Sequence, residues 1–458
     1  KSLEGDFVPV QVRPRVPKIF LMTTYNKLKK LIDNKTATVG VIGLGYVGLP
    51  LLMRFFQSNF SVIGFDNNQE NLKILKGSRS TINHIKDSDV KELVKSERTF
   101  LTNDLKYTQK CEVVIICLPT PLDKKNNPDL SFIKNFLKSY INHMRRGQLI
   151  SLESTTYPGT TDEVVLPYLE KNGLKAGEDF FLCYSPERED PGNKNYSTKT
   201  IPKLCAGYTE KCGALSQSLY SKIIDKVVMV SSTKVAEMSK LLENIYRAVN
   251  VGLVNEMRVI ASSLDIDIYE VIEAASTKPF GFTPYFPGPG LGGHCLPIDP
   301  LYLSWKASQV GVDSRFIELA AAVNSSIPIQ VVSCLKKKLN ARKKKLSKSK
   351  ILVAGLAYKK NIDDARESPS FEIIKLLLSK GAKVEYSDPY IKSFPNTRRY
   401  KFKMKHVNMT KKNLNSFDAI ILATDHDNFD INFIQNNSKL IIDTRGVCDK
   451  ELANVERL

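Results

Sequence analysis

Short apolar runs alternate with stretches of helical periodicity over most of this chain. The first half predicts strands at 39–44, 62–66, 112–118 and 148–153, and a helix at 49–57. The run at 112–118 is continuously apolar after its first residue, which is typical of strands that are covered on both faces. Continuous runs separated by helices predict a parallel sheet with helices on both sides.

The pattern changes near residue 233. Residues 234–264 predict one or two long helices and 314–340 predict another, while the segment between them, 279–300, is rich in glycine and proline. After a basic run the first pattern returns, with further strands predicted at 350–357, 382–387, 419–423 and 440–443. We therefore predict an α/β fold in which two Rossmann-like lobes are joined by a helical central domain.

These changes of pattern define four predicted segments. They are an N-terminal extension (1–37), a first lobe (38–232), a helical central domain (233–340) and a second lobe (341–458). Residues 1–21 contain three prolines and show no clean periodicity, so the fold prediction leaves them out. Long helices between two lobes commonly form a hinge and a dimer surface, and we expect a homodimer or a higher homo-oligomer.

The composition is that of a soluble globular protein, since 42% of the 458 residues are hydrophobic and 25% are charged. No run approaches the roughly 18 apolar residues of a membrane span, and no stretch resembles a signal peptide. We therefore expect a cytoplasmic protein without a membrane partner. The eight cysteines are scattered, without metal-ligand spacing, so we interpret them as reduced, mostly buried thiols and expect no metal site.

The formal net charge of +19 raises the question of a nucleic-acid partner. Part of the excess lies in one basic run, 336–350, which we interpret as a solvated helix end and loop. The remainder is expected to raise the association rate of an anionic substrate such as a nucleotide sugar. No zinc finger, recognition helix or aromatic RNA-binding pattern is present, so no nucleic-acid partner is predicted.

A dinucleotide-binding pattern occupies the first predicted strand–helix junction. Gly43, Gly45 and Gly48 form GxGxxG, which allows a tight turn, a close approach of the pyrophosphate and close strand–helix packing. Asp66 ends the next strand, where a carboxylate accepts hydrogen bonds from the adenosine ribose and repels a 2′-phosphate. The pattern predicts NAD as cofactor. The second lobe lacks the further glycines, and there Lys359 and Arg366 could meet the phosphates of another nucleotide.

A rigid loop of glycines and prolines, 287–300, surrounds Cys295. Its thiol could act as a nucleophile with Asp299 assisting proton transfer, and it could equally be a small buried apolar group. Lys240 and Asn244 share one helix face, which suits a developing oxyanion or a bound water, although a solvated lysine on an amphipathic helix is the simpler interpretation. His294 is either a structural hydrogen-bonding group or a base.

Taken together, seven motifs in this order resemble the UDP-glucose/GDP-mannose dehydrogenase family over about residues 38–450. They are GVIGLGYVGLP (40–50), LPTP (118–121), ESTTYPGTT (153–161), SPERE (185–189), the Lys240/Asn244 helix, GGHCLPIDP (292–300) and GLAYKKNIDDARESPS (355–370). The resemblance implies an NAD-binding first lobe, a central domain with a catalytic cysteine loop, and a second lobe that binds a UDP-sugar.

The resemblance also implies a four-electron oxidation of the sugar C6 hydroxyl to a carboxylate, with two NAD per sugar. Cys295 would capture the intermediate aldehyde and pass through a thioester that water hydrolyses. The implied roles are oxyanion stabilisation by Lys240, positioning of water by Asn244 and Thr155, and proton transfer or hydrolysis aided by Asp299 and Glu187.

Further site residues follow from the same resemblance. Pro119, Thr120 and Thr155 would contact NAD beside Gly43, Gly45, Gly48 and Asp66. Lys359 and Arg366 would bind the diphosphate or sugar, and Tyr285 and Gly293 would line the pocket.

The residues around Cys295 resemble the branch of the family that acts on UDP-N-acetylglucosamine or a related N-acetylated sugar. UDP-glucose dehydrogenases usually carry lysine where Ile298 stands. UDP-ManNAc, UDP-GalNAc and UDP-glucose remain open as substrates. A two-electron β-hydroxyacid dehydrogenase shares the first lobe, but it would need neither the Cys295 loop nor the second lobe.

Overall fold

The computed structural model describes residues 23–458, except 83–84, 190–194, 294, 396, 398–399 and 401. The predictions made for residues 1–21 and for His294 therefore lie outside the described residues. Within this part of the chain the structure contains two sheets, one at each end of the sequence, with long helices between them. The predicted α/β fold with two Rossmann-like lobes and a helical middle is confirmed.

The first lobe is built around a sheet of eight strands in the described residues, in the order β3-β2-β1-β4-β5-β6-β7-β8. All neighbours are parallel except β6 and β7. Its strands and helices are α1 (Thr24–Asp33), β1 (Thr38–Ile42), α2 (Gly48–Gln57), β2 (Ser61–Phe65), α3 (Gln69–Lys76), α4 (Asp87–Lys95), β3 (Thr99–Thr102), β4 (Val113–Ile116), α5 (Ser131–Tyr140), β5 (Leu149–Leu152), α6 (Leu166–Leu169), β6 (Phe181–Tyr184), β7 (Lys203–Gly207), α7 (Glu210–Tyr220) and β8 (Val227–Met229).

Helix α1 belongs to this lobe, although the predicted boundary at residue 37 assigns it to an extension. Leu28 and Ile32 are buried in the lobe's core, and Tyr25 packs edge-on against Phe181 of β6. Thr23 caps the helix by accepting a hydrogen bond from the amide of Asn26. The folded first lobe therefore includes residues 24–33.

The middle of the chain consists of helices α8 (Thr233–Ser263), α9 (Ile268–Ser276), α10 (Asp299–Gln309) and α11 (Arg315–Ala341). Helices α8 and α11 pack along each other, where Gly252 lets Asn324 and Ala320 approach closely. The segment predicted as one or two helices, 234–264, therefore forms one continuous helix that ends at Ser263. By length and composition alone, α11 is the one helix in the described residues that could cross a membrane; long core helices pass the same test, so this is weak evidence.

The second lobe contains a parallel sheet of five strands in the described residues, in the order β10-β9-β11-β12-β13. Its strands and helices are β9 (Lys350–Ala354), α12 (Pro369–Ser379), β10 (Lys383–Ser387), α13 (Lys411–Ser416), β11 (Ala419–Leu422), α14 (Ile431–Asn436), β12 (Ile441–Asp443) and β13 (Val455–Arg457). Strands β9, β11 and β12 are almost entirely buried, as their continuous apolar runs predict.

Candidate active site

The crevice of the first lobe lies where its strand order reverses. Strands β2 and β4 flank β1 on opposite sides, so the loops after β1 and β4 diverge at the carboxyl ends of the strands. Ligands of such sheets bind at this point. The GxGxxG loop after β1 and the LPTP segment after β4 both lie there, so the predicted cofactor residues share one edge.

The three glycines of the loop have different surroundings. Gly43 has φ +93°, and a Cβ on it would lie 2.7 Å from the carbonyl oxygen of Cys117. A Cβ on Gly48 would lie 1.8 Å from the carbonyl oxygen of Gly43, so helix α2 begins against the loop backbone. A Cβ on Gly45 would meet no protein atom within 4 Å. The open space above Gly45 fits a bound pyrophosphate, as its predicted role requires.

Asp66 lies immediately after β2 with its carboxylate turned to the glycine loop. Its Oδ2 accepts from the amide of Leu44 at 3.1 Å and from Asn71 Nδ2 at 2.7 Å, and its Oδ1 accepts from the amide of Asn68 at 2.8 Å. Asn71 therefore orients the Asp66 carboxylate. A carboxylate has about four acceptor positions, so Asp66 can still accept a hydrogen bond from a ribose hydroxyl.

The remaining predicted cofactor residues lie beside this loop. Pro119 and Thr120 follow β4, and Thr120 is buried. Thr155 follows β5, and the adjacent Ser154 donates its hydroxyl to the carbonyl oxygen of Leu118 at 2.8 Å. This bond holds the segment that carries Thr155 against the LPTP segment.

Five predicted catalytic residues from three parts of the chain come together next to the crevice. Lys240 Nζ lies 3.6 Å from Glu187 Oε2, and Asn244 Nδ2 donates to Asp299 Oδ2. The amide of Asp299 donates to the carbonyl oxygen of Cys295 at 2.8 Å, in the turn that starts α10. Lys240, Asn244 and Asp299 are all buried. The structure therefore brings together the predicted nucleophile, acid–base groups and oxyanion-stabilising groups.

Burial controls the charges of this cluster. It raises the pKa of the Cys295 thiol to about 12, helped by the neighbouring Asp299 carboxylate and opposed by Lys240. It also raises the pKa of Asp299 to about 7, opposed by Lys240 and the Asn244 hydrogen bond. Burial alone would lower the pKa of Lys240, but Glu187, Cys295 and Asp299 raise it overall. The cluster therefore combines a neutral thiol, a cation and a carboxyl that titrates near neutral pH.

A cavity of about 350 Å³ opens beside Lys240. It is lined by residues 188–189 and 201–202 and by one face of α8 that includes Tyr246 and Arg247. Tyr246 contacts the predicted pocket residue Tyr285 edge to face, with ring centroids 5.9 Å apart. A second cavity, of about 270 Å³, lies between α8, α10 and α11 and extends to α12. The first cavity is the candidate sugar pocket because Lys240 forms part of its wall.

The second lobe contacts both the cysteine loop and the glycine loop. The amide of Gly293 donates to the carbonyl oxygen of Arg366 at 3.0 Å, and a Cβ on Gly293 would press on the Tyr358 ring at 3.0 Å. Arg366 forms charge-assisted hydrogen bonds to Asp364, and its guanidinium lies 4.3 Å above the ring of Tyr46.

Lys359 lies in the loop that follows β9, in the same lobe as Arg366. Both predicted phosphate-binding residues therefore belong to a lobe that contacts the glycine loop directly. Arg366 already forms an ion pair with Asp364. On binding a diphosphate, Arg366 would either keep Asp364 as a second partner or release it.

Two buried acids of this region are not singled out by the sequence pattern. Glu237 accepts hydrogen bonds from the amide of Gly159 at 2.5 Å and from the amide and hydroxyl of Thr161 at 2.9 and 2.7 Å. Burial raises its pKa to about 7. It precedes Lys240 by one helical turn and so couples α8 to the segment that carries Thr155. The sequence feature that could have identified Glu237 is its position one helical turn before Lys240.

Glu153 is the second buried acid. It pairs with Lys203 Nζ at 2.6 Å and accepts from the Tyr220 hydroxyl at 2.5 Å. Lys203 Nζ also donates to the carbonyl oxygen of Pro186 at 3.3 Å. This pair therefore fixes the backbone immediately before Glu187. A lysine at the start of a short apolar strand, 203–207, is the sequence signal for it.

Most of the chain matches one family of known proteins. Models of the UDP-glucose/GDP-mannose dehydrogenase family match its NAD binding domain at 37–224, its central domain at 234–326 and its UDP binding domain at 352–450. The chain is 36% identical to UDP-N-acetyl-D-glucosamine 6-dehydrogenase of Pseudomonas aeruginosa, over 89% of this chain and 94% of that protein.

Solved structures agree with this match. That of UDP-D-ManNAc dehydrogenase from Pyrococcus horikoshii is 32% identical, with a TM-score of 0.82 over 92% of this chain and 98% of that chain. That of NDP-N-acetyl-D-galactosaminuronic acid dehydrogenase from Methanosarcina mazei Go1 is 26% identical, with a TM-score of 0.76 over 95% and 97%. With an NAD binding domain at its predicted cofactor loop, the chain belongs to the UDP-glucose/GDP-mannose dehydrogenase family of NAD-dependent oxidoreductases.

Proposed function

We propose that this chain oxidises the C6 hydroxyl of a UDP-N-acetylhexosamine, and of UDP-N-acetylglucosamine in particular, to the uronate. The observation that carries the proposal is the half-buried Cys295 next to the buried side chains of Lys240, Asn244 and Asp299. A dehydrogenase that stopped at an aldehyde or ketone would have no use for this thiol. The 36% identity to a UDP-N-acetyl-D-glucosamine 6-dehydrogenase supports the choice of sugar.

In the proposed reaction the thiol converts the aldehyde into a thioester. NAD, when bound, accepts two electrons in each of the two oxidations. Cys295 Sγ forms a bond to C6 of the aldehyde while its proton leaves to Asp299, whose pKa of about 7 suits a base at neutral pH. This transfer is needed because the Cys295 thiol, with a pKa of about 12, is protonated before attack.

The positive charge of Lys240 then faces the oxygen that becomes negative during attack. Oxidation of the thiohemiacetal gives a thioester, and water cleaves the C–S bond to release the carboxylate. Glu187, whose carboxylate lies 3.6 Å from Lys240 Nζ, would help to remove a proton from that water. Loss of four electrons and addition of one water account for the change from alcohol to carboxylate.

UDP-N-acetylmannosamine is the second candidate substrate. The solved relative with a TM-score of 0.82 is described as a UDP-D-ManNAc dehydrogenase, and its 32% identity is close to that of the UDP-N-acetylglucosamine relative. The two sugars differ in the configuration at C2, which lies away from the reacting C6. Cys295, Lys240 and Asp299 would therefore perform the same chemistry on both.

The proposal includes a homodimer formed through α8. Large apolar side chains recur at helical spacing along its exposed side, and Leu242, Leu253 and Leu264 are each more than half exposed. An exposed apolar surface of this length marks an interaction site. Two copies related by a two-fold axis would bury the same face of α8 in both.

Initial rates with UDP-N-acetylglucosamine, UDP-N-acetylmannosamine, UDP-N-acetylgalactosamine and UDP-glucose test the proposed substrate. We expect the highest kcat/KM with UDP-N-acetylglucosamine and at least about tenfold less with UDP-glucose, whose missing acetamido group leaves polar groups of the pocket unpaired. A higher kcat/KM with UDP-N-acetylmannosamine would transfer the assignment to that sugar. A higher value with UDP-glucose would contradict the proposed N-acetyl branch.

A further inference from the structure

The amino-terminal edge of the second sheet carries a concentrated positive charge. Residues 336–350 include nine basic and no acidic residues, and they run from the end of α11 into β9. Exposed basic side chains from three segments lie at this edge, which we call the basic edge: Lys336, Lys337, Arg342, Lys343, Lys345, Lys348, Lys380, Lys383 and Lys439.

Backbone contacts hold these three segments together. The amide of Lys383 donates to the carbonyl oxygen of Ser349 at 2.9 Å, and a Cβ on Gly381 would lie 3.3 Å from the Ser347 side chain. The guanidinium of Arg342 donates to the carbonyl oxygen of Lys439. The basic edge is therefore one continuous surface, although its residues lie up to about a hundred positions apart in the sequence.

Three acidic residues near this edge are each paired with a lysine. Asp418 pairs with Lys344, Glu456 pairs with Lys338, and Lys350 Nζ lies 3.5 Å from Glu385 Oε2. Within the described residues, no ion pair engages any member of the basic edge. Its positive charge is therefore available to an external anionic partner.

Although the sequence pattern predicts no membrane partner, we propose that the basic edge binds an anionic membrane surface. Clusters of lysine and arginine are attracted to anionic lipids by charge alone, and the association needs no membrane-spanning segment. In the described residues of the basic edge, eight of the nine cations are lysines and no large apolar or aromatic side chain is exposed. Single-stranded nucleic-acid sites add aromatic stacking, and base readout favours arginine, so the composition fits a diffuse anionic surface better.

The position of the basic edge suits catalysis at a surface. All neighbouring strands of the second sheet are parallel, so their amino ends lie opposite the carboxyl ends. Arg366 lies on the carboxyl side, in the loop that leaves the sheet after β9, and its carbonyl oxygen accepts a hydrogen bond from Gly293 of the cysteine loop. A chain bound through the basic edge would keep its nucleotide-binding side turned away from the lipid.

Co-sedimentation of the full chain with vesicles tests this inference. We expect binding to phosphatidylcholine vesicles that contain phosphatidylglycerol, no binding to phosphatidylcholine alone, and a steep loss of binding with added salt. Each basic side chain near such a surface contributes about fivefold to the partition coefficient. A quadruple lysine-to-glutamine variant of the basic edge should therefore lose at least about tenfold. Its positions are Lys343, Lys345, Lys348 and Lys383.

A second quadruple variant removes the same number of charges from the first lobe. It replaces four exposed lysines of α4 and α5 by glutamine: Lys91, Lys95, Lys134 and Lys138. This control should bind vesicles like the parent chain, and both variants should retain the parent's dehydrogenase rate, which shows that they fold. Equal losses in the two variants, or no binding of the parent to anionic vesicles, would overturn the proposal. Tighter binding of the basic edge to duplex DNA than to vesicles would assign it to nucleic acid instead.

Discussion

At the scale of single residues, the environment of Cys295 keeps the thiol protonated until a base removes its proton. Burial and the nearby Asp299 raise its pKa to about 12, while Lys240 opposes the shift. A neutral thiol reacts slowly with general oxidants and electrophiles, because the thiolate is the reactive form. The arrangement therefore restricts nucleophilic attack to a substrate that Asp299 and Lys240 also contact.

The raised pKa of Asp299 predicts a measurable effect on stability. Because the pKa of about 7 lies above the ordinary value near 4, the folded state binds the extra proton between these pH values. The free energy of unfolding should therefore fall as the pH rises through this window. Asp299→Asn removes the titration and should raise the Tm at about pH 8 more than at about pH 5, by an amount that corresponds to about 3 kcal/mol between the two pH values.

The same variant should lose most of its oxidation of UDP-sugar, because asparagine cannot accept the thiol proton. Thermal unfolding at the two pH values and initial rates measure both effects. An equal change in Tm at both pH values, with activity kept, would contradict the assigned pKa and the role of Asp299.

Substitution by alanine is expected to have different effects at two glycines of the cofactor loop: one change lowers stability and the other weakens NAD binding. Gly48→Ala places a Cβ 1.8 Å from the carbonyl oxygen of Gly43, so the loop must move and the Tm should fall. Gly45→Ala meets no protein atom within 4 Å, so the Tm should stay unchanged. The new methyl group would instead occupy cofactor space and raise the KM for NAD by about tenfold or more. An unchanged KM in Gly45→Ala would show that the pyrophosphate lies elsewhere.

At the scale of elements, the hydrophobic pattern predicts the central strands well and the peripheral ones poorly. Strands β1, β4 and β9 lie within the predicted ranges or one residue outside them, because each is a continuous buried run. Strand β8 has three half-buried residues, and β3 exposes Phe100, so neither shows a clear pattern. Helix α10 starts within the glycine- and proline-rich segment that predicts a loop, because its first turn is held by Cys295.

Helix α8 has two functional faces. One face turns Lys240 and Asn244 into the site, and the other exposes a row of large apolar side chains. The sequence shows that the helix is long and that Lys240 and Asn244 share one face, but not what covers each face. The separation of the two faces follows from the packing of α11 and of the first lobe against it.

Leu253→Glu should convert the proposed dimer into monomers. Leu253 is 55% exposed on the apolar face of α8, and an unpaired carboxylate buried in a dimer interface costs several kcal/mol. Light scattering after size-exclusion chromatography measures the mass. Tyr208→Glu, at an exposed position of the first lobe outside α8, is the control and should remain dimeric. A parent chain that is monomeric at micromolar concentration would contradict the proposal.

At the scale of the whole molecule, the site exists only because separate segments meet. Motif order and spacing predict which residues carry the chemistry, but Glu187, Lys240 and Cys295 come from three distant parts of the chain. Their meeting depends on buried groups that look like surface charges in the sequence, such as Glu237 and Lys203. A buried charged residue cannot be distinguished from an exposed one in a single sequence, because only the fold brings its partner close to it.

The yield of NADH per UDP-N-acetylglucosamine consumed, for the parent chain and for Cys295→Ala, tests the central claim most directly. The parent chain should form two NADH and one uronate per sugar. Cys295→Ala should fold with an unchanged Tm, within a few degrees, but form no uronate, because the aldehyde has no thiol to capture it. Two NADH per sugar from Cys295→Ala would contradict the thioester mechanism, and one NADH per sugar from both chains would identify a two-electron dehydrogenase with a structural cysteine.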